Sequence, residues 1–205
     1  HQDAWNPECE VWAVPLQQPG GQQGRQKCTG IDGEIEPAKG LGQQVRVLDA
    51  GWYGTDSIKE CFKNSNFEFV QNDIRNLVTT VKSLKDIDAV IHFAGLKSVS
   101  ESVAKPLDYY SNNVAGSIVL FQEMKKANVK TIIFSSTAAV YGTPETVPIT
   151  EKFSTNNISN PYGRSKLMIE NFLNDIYASD KDWKIALLRY FNPAGAHPSG
   201  KIGES

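Results

Sequence analysis

The chain has 205 residues, of which 40% are hydrophobic and 21% charged, with a net charge of −2, as expected of a globular chain that buries one sizeable core. This balance provides no basic surface for nucleic acid, and no apolar run approaches the roughly 18 residues that a membrane helix needs. No secretory signal is visible, and three widely spaced cysteines, Cys9, Cys28 and Cys61, favour the cytoplasm, a reducing compartment, over a disulfide framework or a metal site.

The first 44 residues are rich in Gly, Gln and Pro and predict irregular structure, with one strand-like run at 11–14. A dinucleotide-binding fold opens instead with a strand, a glycine-rich turn and a helix. The available turn, Gly20-Gly-Gln-Gln-Gly24, has Lys27 where a third glycine belongs, so we interpret it as a chance match. We therefore expect residues 1–44 to be foreign to the fold and residues 45–205 to form a partial nucleotide-binding core.

From residue 45 onward, short apolar strands alternate with helical segments. Strands are predicted at 45–48, 67–70, 89–93, 129–134 and 184–190, and helices near 56–64, 74–85, 106–128 and 162–178. This alternation predicts an α/β fold with a doubly wound, Rossmann-like parallel sheet. Ligands of such sheets bind at the carboxyl ends of the strands.

One strand end and the helix after it carry groups suited to proton transfer. The strand at 129–134 runs into three hydroxyl residues, 135–137, which can face a cleft. Pro at 161 suits a first helical turn, so Tyr162 and Lys166 lie on one helix face. A nearby lysine favours the phenolate and lowers the pKa of tyrosine, so the pair could deprotonate an alcohol. On many helices the same spacing is merely an exposed lysine beside a half-buried tyrosine.

Together these motifs resemble the extended short-chain dehydrogenase/reductase family, and within it most closely the UDP-glucose 4-epimerases. The resemblance runs from about Val45 to the end of the chain and includes Ile91-His-Phe-Ala-Gly-Leu-Lys-Ser-Val-Ser-Glu-Ser102. It implies tightly held NAD, a UDP-hexose substrate and a homodimer in the complete protein. It also implies a smaller C-terminal substrate domain, so we expect the fold of this chain to be incomplete. His92 is expected to be a core histidine.

The resemblance also implies a mechanism. Tyr162 would remove the proton of the sugar 4-hydroxyl while hydride passes to NAD, and Thr137 would hydrogen-bond the same oxygen as it becomes a ketone. Lys166 would keep the phenol acidic and bind the nicotinamide ribose. The 4-keto sugar would then take the hydride back on its other face, so that no net oxidation results.

Further residues are assigned to the cofactor and the substrate. Asp49 ends a strand and could accept hydrogen bonds from the adenosine ribose, favouring NAD over its phosphorylated form, or be an ordinary turn aspartate. Asp73 and Ile74 match the pair that flanks adenine, although Asp73 could instead cap a helix beginning at Ile74. Small Ala94 and Gly95 let a cofactor lie against the chain. The resemblance assigns further cofactor contacts to Phe93, Leu96, Lys97, Asn112, Tyr162, Lys166 and Phe191, and substrate contacts to Lys97, Thr137, Tyr162 and Asn192.

Two interpretations remain beside an epimerase. Phe191 could be simple core packing and Asn113 an inert neighbour, which suits a catalytically empty nucleotide-binding fragment. A sugar-nucleotide dehydratase would share the fold but needs an acid pair after the strand-end threonine, where this chain has Ala138 and Ala139. We also expect the 205-residue form to bind NAD weakly, because it lacks a convincing pyrophosphate turn.

Overall fold

The computed structural model describes residues 11–13, 44–144, 146–155 and 157–192, and within them the fold is a six-stranded sheet with five α-helices. The strands are β1 (Val11–Ala13), β2 (Val45–Asp49), β3 (Phe67–Gln71), β4 (Val90–His92), β5 (Thr131–Thr137) and β6 (Lys184–Tyr190). The α-helices are α1 (Leu77–Ser83), α2 (Val99–Ala104), α3 (Pro106–Tyr109), α4 (Gly116–Lys126) and α5 (Pro161–Ser179).

The strand order across the sheet is β3-β2-β1-β4-β5-β6. β2 is parallel to β3, and β4 and β6 are parallel to β5. This is the order of doubly wound dinucleotide-binding folds, so the predicted Rossmann-like α/β sheet is confirmed. The exception is β1, which runs antiparallel to both of its neighbours. Because Ala13 lies beside Arg46, the chain leaves β1 at the amino ends of the parallel strands.

The first segment thus contributes a strand to the middle of the sheet, at the one strand-like run that was expected within it. The run at 11–13 includes a β-branched and an aromatic residue, which suit strands. Its pairing with β2 and β4 also covers two rows of backbone groups that would otherwise form open edges. The glycine-rich run 20–24 lies outside the described residues. That residues 1–44 are foreign to the fold stays a prediction.

One face of the sheet carries the main hydrophobic core. Side chains alternate along a strand, so Ile132 and Phe134 of β5 point to the same face, where they belong to one buried cluster with Met124 of α4 and Leu173 of α5. The opposite face is covered near β3 by aromatic residues. There Phe62 packs edge-on against two phenylalanines of β3, with ring centroids 5.7 Å apart in each pair.

The first two predicted helices are shorter than expected. Residues 56–64 form two separate 3-10 turns, Asp56–Ile58 and Cys61–Lys63, neither of which has a side-chain cap. The segment predicted at 74–85 is helical over α1 alone. Its N-cap is Asn76, whose side chain accepts a hydrogen bond from the Thr79 N–H, so the alternative of Asp73 as the helix cap is wrong.

The segment predicted as one long helix, 106–128, consists of α3, a π-helical turn at Tyr110–Ala115, and α4. A π turn holds an extra residue and re-aims the side chains around it, and such turns are frequent at functional sites. Asn112 and Asn113 lie in this turn and are buried. Nothing in the sequence of this turn distinguishes it from ordinary α-helix.

Three findings bear on the class of protein. Among the described helices, none has the length and apolar character needed to cross a bilayer. The same residues contain no group of three or more His, Cys, Asp and Glu side chains that could hold a metal ion. Cys61 is buried, and Cys9 and Cys28 lie outside the described residues.

Candidate active site

β5 and α5 bring a hydroxyl and a phenol together at the carboxyl edge of the sheet. β5 continues three residues further than predicted and ends at Thr137. α5 begins at Pro161, and the Asn160 side chain caps it by accepting a hydrogen bond from the Gly163 N–H at 2.7 Å. Tyr162 therefore lies in the first turn, with its phenol close enough to the Thr137 side chain for that hydroxyl to lower the pKa of the phenol.

Lys166 lies one helical turn after Tyr162 and is only 3% exposed. Its Nζ atom donates a hydrogen bond to the Ser135 carbonyl oxygen at 3.0 Å and lies 5.0 Å from the centre of the Phe134 ring. Gly95 leaves room for it, because a Cβ atom at Gly95 would lie 3.2 Å from Nζ. The ammonium is thus enclosed between β5 and the loop after β4, on the helix face that carries Tyr162.

The pKa of the Tyr162 phenol is raised above its ordinary value of 10.0. Burial of the phenol is the larger cause, and the hydrogen bond with Thr137 lowers the pKa by less. This direction is opposite to the one expected from a lysine four residues away, because burial outweighs the contacts that favour the phenolate.

An open cleft lies at the carboxyl ends of β2, β3 and β4. It is lined by Leu48, Asp49, Ala50, Trp52, Asn72, Asp73, Ile74, Ala94 and Asn112. Five residues assigned to the cofactor from the sequence therefore share one cleft: Asp49, Asp73, Ile74, Ala94 and Asn112. Trp52 was not predicted, and its indole is the one aromatic side chain in this lining.

Asp49 retains capacity to accept hydrogen bonds. Its carboxylate is partly buried, which raises its pKa, and the Gly51 N–H opposes this by donating to Oδ1 at 2.5 Å. Among the described residues this is the one hydrogen bond of the Asp49 side chain. A carboxylate has about four acceptor positions, so Asp49 can still bind hydroxyl donors in the cleft.

Asp73 is engaged by Arg75. It accepts hydrogen bonds from the Arg75 backbone N–H at 2.8 Å and from the guanidinium at 2.9 and 2.5 Å. The side-chain hydrogen bond of Arg75 is the largest cause of the lowered pKa of Asp73. The Asp73 carboxylate is thus already hydrogen-bonded to Arg75. Ile74 is 5% exposed, so it offers the cleft only a small apolar surface.

The adjacent asparagines of the π turn differ in their contacts. Asn112 lines the cleft and donates from Nδ2 to the Asn113 side-chain oxygen at 3.0 Å. Asn113 is fully buried, accepts from the Leu96 N–H at 2.7 Å, and donates to the Leu96 carbonyl at 2.9 Å and to Ser165 Oγ at 3.2 Å. Asn113 thus ties the loop after β4 to α5, a structural role that the sequence did not indicate.

The segment 93–97 is divided between the cleft and the interior. Ala94 lines the cleft, whereas Gly95 and Leu96 are buried against Lys166 and Asn113. Phe93 and Lys97 are partly exposed at either end of this loop and do not line the cleft.

Phe191 and Asn192 follow β6 at the same edge of the sheet, and both are exposed. Phe191 is 60% exposed, so its interpretation as simple core packing is wrong. Neither residue lines the cleft, and His197 lies outside the described residues. His92, by contrast, is fully buried and bonds Ser117 Oγ through Nε2 at 2.8 Å, which confirms it as a core histidine.

The sequence analysis missed a cluster of charged side chains, Glu170 and Arg189, at the end of β5. Glu170 of α5 accepts hydrogen bonds from Ser136 Oγ at 2.5 Å and from the Arg189 guanidinium at 2.6 to 3.2 Å. Arg189 also donates to the Tyr141 hydroxyl at 3.1 Å. A signal for Glu170 was available, because it continues the four-residue spacing of Tyr162 and Lys166 by one more turn.

The described residues fit an adenine dinucleotide at both ends. At the adenosine end, Asp49 can accept hydrogen bonds from a ribose and small Ala94 permits close approach. At the nicotinamide end, Lys166 and Tyr162 provide a cation and a hydroxyl. A glycine-rich turn that would hold the pyrophosphate is not among the residues that the structure describes.

Comparison with known proteins agrees with this geometry. Residues 35–204 match the model of the NAD dependent epimerase/dehydratase family. The UDP-glucose 4-epimerase of Bacillus subtilis is 49% identical over 169 residues, covering 80% of this chain and 49% of the relative. That of Yersinia enterocolitica is 55% identical over 146 residues, covering 71% and 44%. The UDP-glucose 4-epimerase structure from Bifidobacterium longum, in complex with NAD+ and UDP, has a TM-score of 0.71 and 47% identity, covering 77% of this chain and 48% of that one.

The chain spans about half the length of these relatives. The family match nevertheless covers most of the 205 residues and includes β2 to β6 and both halves of the candidate site. The resemblance seen in the sequence is therefore confirmed, and the chain belongs to the NAD dependent epimerase/dehydratase family.

Proposed function

We propose that this chain carries the catalytic core of a UDP-glucose 4-epimerase, which interconverts UDP-glucose and UDP-galactose in galactose metabolism with NAD as cofactor. The observation that carries the proposal is the placement of Tyr162 and the buried Lys166 one turn apart on the same face of α5, where Lys166 bonds the end of β5 two residues before Thr137. The names of the similar proteins support the choice of reaction, and the NAD+ and UDP bound to the Bifidobacterium longum enzyme support the choice of ligands.

In the proposed reaction, Tyr162 takes the proton of the sugar 4-hydroxyl, and Thr137 hydrogen-bonds the same oxygen while it becomes a ketone. Lys166 favours the phenolate through its positive charge and binds the nicotinamide ribose. Bound NAD supplies a reversible hydride acceptor for C4 of the sugar. Tyr162 returns the proton after the 4-keto sugar has presented its other face, so the product differs from the substrate only at C4.

The proposed cofactor and substrate contacts come from the family resemblance, and five of these residues share the cleft. Asp49 binds the hydroxyls of the adenosine ribose, and the surface at Asp73 and Ile74 contacts adenine. The remaining proposed contacts are Phe93, Ala94, Gly95, Leu96, Lys97, Asn112 and Phe191 for the cofactor, and Lys97 and Asn192 for the UDP-hexose. Substitution of Asp49 by Asn is expected to weaken NAD binding roughly tenfold, and an unchanged Kd would contradict the assignment.

The test uses this chain joined to the part of the Bacillus subtilis relative that it does not match, which we call the completed chain. With UDP-galactose we expect the completed chain to form UDP-glucose and to release NAD on denaturation. Bound NAD without epimerisation would refute the reaction. Neither NAD nor turnover would favour the alternative of a catalytically empty nucleotide-binding fragment. The 205-residue chain itself is expected to hold less than stoichiometric NAD.

A sugar-nucleotide 4,6-dehydratase is the second candidate, because it shares oxidation at C4. Elimination of water additionally requires a proton to leave C5 and another to reach the C6 hydroxyl. The residues directly after Thr137 are Ala138 and Ala139, in a 3-10 turn, and a methyl group can do neither. We therefore expect no 4-keto-6-deoxy sugar from the completed chain, and a product lighter by one water would overturn the choice of epimerase.

A homodimer in the complete protein is part of the same proposal. Apolar side chains on α2 and α3 lie exposed four residues apart: Val99, Val103 and Leu107. These helices contact α5, where Met168 is also exposed, so a second copy could cover one continuous apolar surface. Sedimentation of the completed chain should give a dimer, and Leu107→Lys should shift it to monomer. A parent that sediments as a monomer would contradict this.

Two further assignments complete the proposal. We place the protein in the cytoplasm, and fractionation of the native source that finds it in an exported fraction would contradict this. We also propose that residues 1–44 are foreign to the fold and that residues 45–205 are the NAD-binding core. The family match from residue 35 onward supports this in part, and the pairing of β1 with β2 and β4 opposes it. Peptide mapping of the native protein that recovers residues 1–44 intact would contradict this assignment.

A further inference from the structure

α5 is attached to the end of β5 by three contacts in succession. Tyr162, Lys166 and Glu170 are four residues apart and lie on one helix face. They face the last three residues of β5, 135–137: Lys166 donates to the Ser135 carbonyl, Glu170 accepts from the Ser136 hydroxyl, and the Thr137 side chain lies close enough to the Tyr162 phenol to lower its pKa. The first two contacts belong to the proposed chemistry. The third has no part in it.

The third contact is anchored by a buried ion pair. The Glu170 carboxylate is 1% exposed, and Arg189 of β6 pairs with it through Nε and Nη2. Ser136 and Arg189 are direct partners in the register of β5 and β6. Glu170 therefore holds together a helix and two neighbouring strands at one point, directly beside Thr137.

Arg189 also reaches the other side of Thr137. Its Nη1 atom donates to the Tyr141 hydroxyl at 3.1 Å, and its guanidinium lies 4.9 Å from the centre of the Tyr141 ring. Tyr141 closes the 3-10 turn that begins directly after Thr137. The ion pair thus restrains the chain both before and after the hydroxyl that Tyr162 contacts.

We propose that Glu170 and Arg189 are positioning residues that hold the Thr137 hydroxyl against the Tyr162 phenol. The inference rests on the proposed function, in which these two groups share one substrate oxygen. Neither side chain contacts the Tyr162 phenol in the structure, so both act through Ser136 and Tyr141. If the ion pair only stabilised the fold, loosening the ion pair would leave the hydrogen bond between Thr137 and Tyr162 unchanged.

Two charge-conserving substitutions test the proposal. Ser136→Ala removes the hydroxyl that Glu170 holds, and Arg189→Lys keeps the positive charge but loses the planar fork that binds Glu170 and Tyr141 together. The readout is the pKa of Tyr162, followed by NMR of the 13C-tyrosine-labelled chain without cofactor or substrate, with Tyr162→Phe identifying the signal. The Thr137 hydrogen bond favours the phenolate, so its loosening should raise this pKa by about half to one unit in both variants.

Ser102→Ala is the matched control, because Ser102 is fully buried and its hydroxyl donates to the Val99 carbonyl within α2, at 2.6 Å. A raised pKa in Ser136→Ala and Arg189→Lys, with the control unchanged, supports the proposal. An unchanged pKa in both variants, or an equal rise in the control, overturns it. If Arg189→Lys fails to fold, Ser136→Ala decides alone, since it removes one oxygen atom. The titration needs neither NAD nor UDP-sugar, so its outcome is independent of the epimerase assay.

Discussion

His92 should make the fold sensitive to acid. Its ring is fully buried in β4, with ring centroids 6.0 Å from Phe121 and 5.5 Å from Phe134. The Ser117 hydroxyl donates to the Asn113 carbonyl, so it must accept from the N–H at His92 Nε2. Nδ1 then carries no proton, and it has no hydrogen-bond partner among the described residues. Protonation there would create an unpaired buried charge.

The magnitude follows from the difference between the folded and unfolded pKa values. Burial, with the charge of Lys166 as the smaller cause, lowers the pKa of His92 from 6.5 to about 3. Between these values the unfolded chain binds a proton that the folded chain does not, so stability falls as the pH falls. From about pH 7 to about pH 4.5 the loss is about 2.5 kcal/mol. This figure hardly depends on the folded pKa, because pH 4.5 is still well above it.

Urea unfolding followed by circular dichroism at these two pH values measures the loss. His92→Gln keeps an N–H that can reach Ser117 but cannot titrate, and His197→Gln makes the same substitution at a position outside the described residues. We expect the parent and His197→Gln to lose about 2.5 kcal/mol more than His92→Gln between the two pH values. Because the other titrating groups are common to all three proteins, they cancel. Equal losses in the parent and His92→Gln would refute the reasoning.

Three other substitutions probe the site. Tyr162→Phe in the completed chain should lower epimerase turnover by roughly 10²- to 10⁴-fold while NAD stays bound, and unchanged turnover in a spectrophotometric assay would end its assignment as the base. Gly95→Ala should displace the Lys166 ammonium, because the new Cβ would lie 3.2 Å from Nζ. The amount of NAD released on denaturation should therefore fall, and an unchanged amount would contradict this. Glu170→Ala removes the carboxylate that Arg189 and Ser136 both bond, and urea unfolding should show a loss of about 1.5–3 kcal/mol, whereas an unchanged stability would argue against a stabilising role of this ion pair.

The sheet could be predicted because its signals are local. β6 has the bounds that its apolar run predicts, since a run of strand-forming apolar residues is a signal within the segment itself. The shared helix face of Tyr162 and Lys166 follows from their spacing in the same way. The direction of β1 has no such signal, because a three-residue strand fits either orientation and only its neighbours decide. The different contacts of Asn112 and Asn113 likewise depend on a π turn that the local sequence does not indicate.

The pKa of Tyr162 shows where spacing stops being informative. Four residues of separation predict that Lys166 favours the phenolate, but the sign of the shift is decided by how deeply the phenol is buried, which depends on elements far away in the sequence. The Thr137 hydrogen bond opposes the effect of burial, and it exists only where β5 and α5 are correctly aligned. That alignment depends on Glu170 and on Arg189, 19 residues further along the chain. Whether Tyr162 can act as a base is therefore decided as much by this distant ion pair as by the lysine beside it.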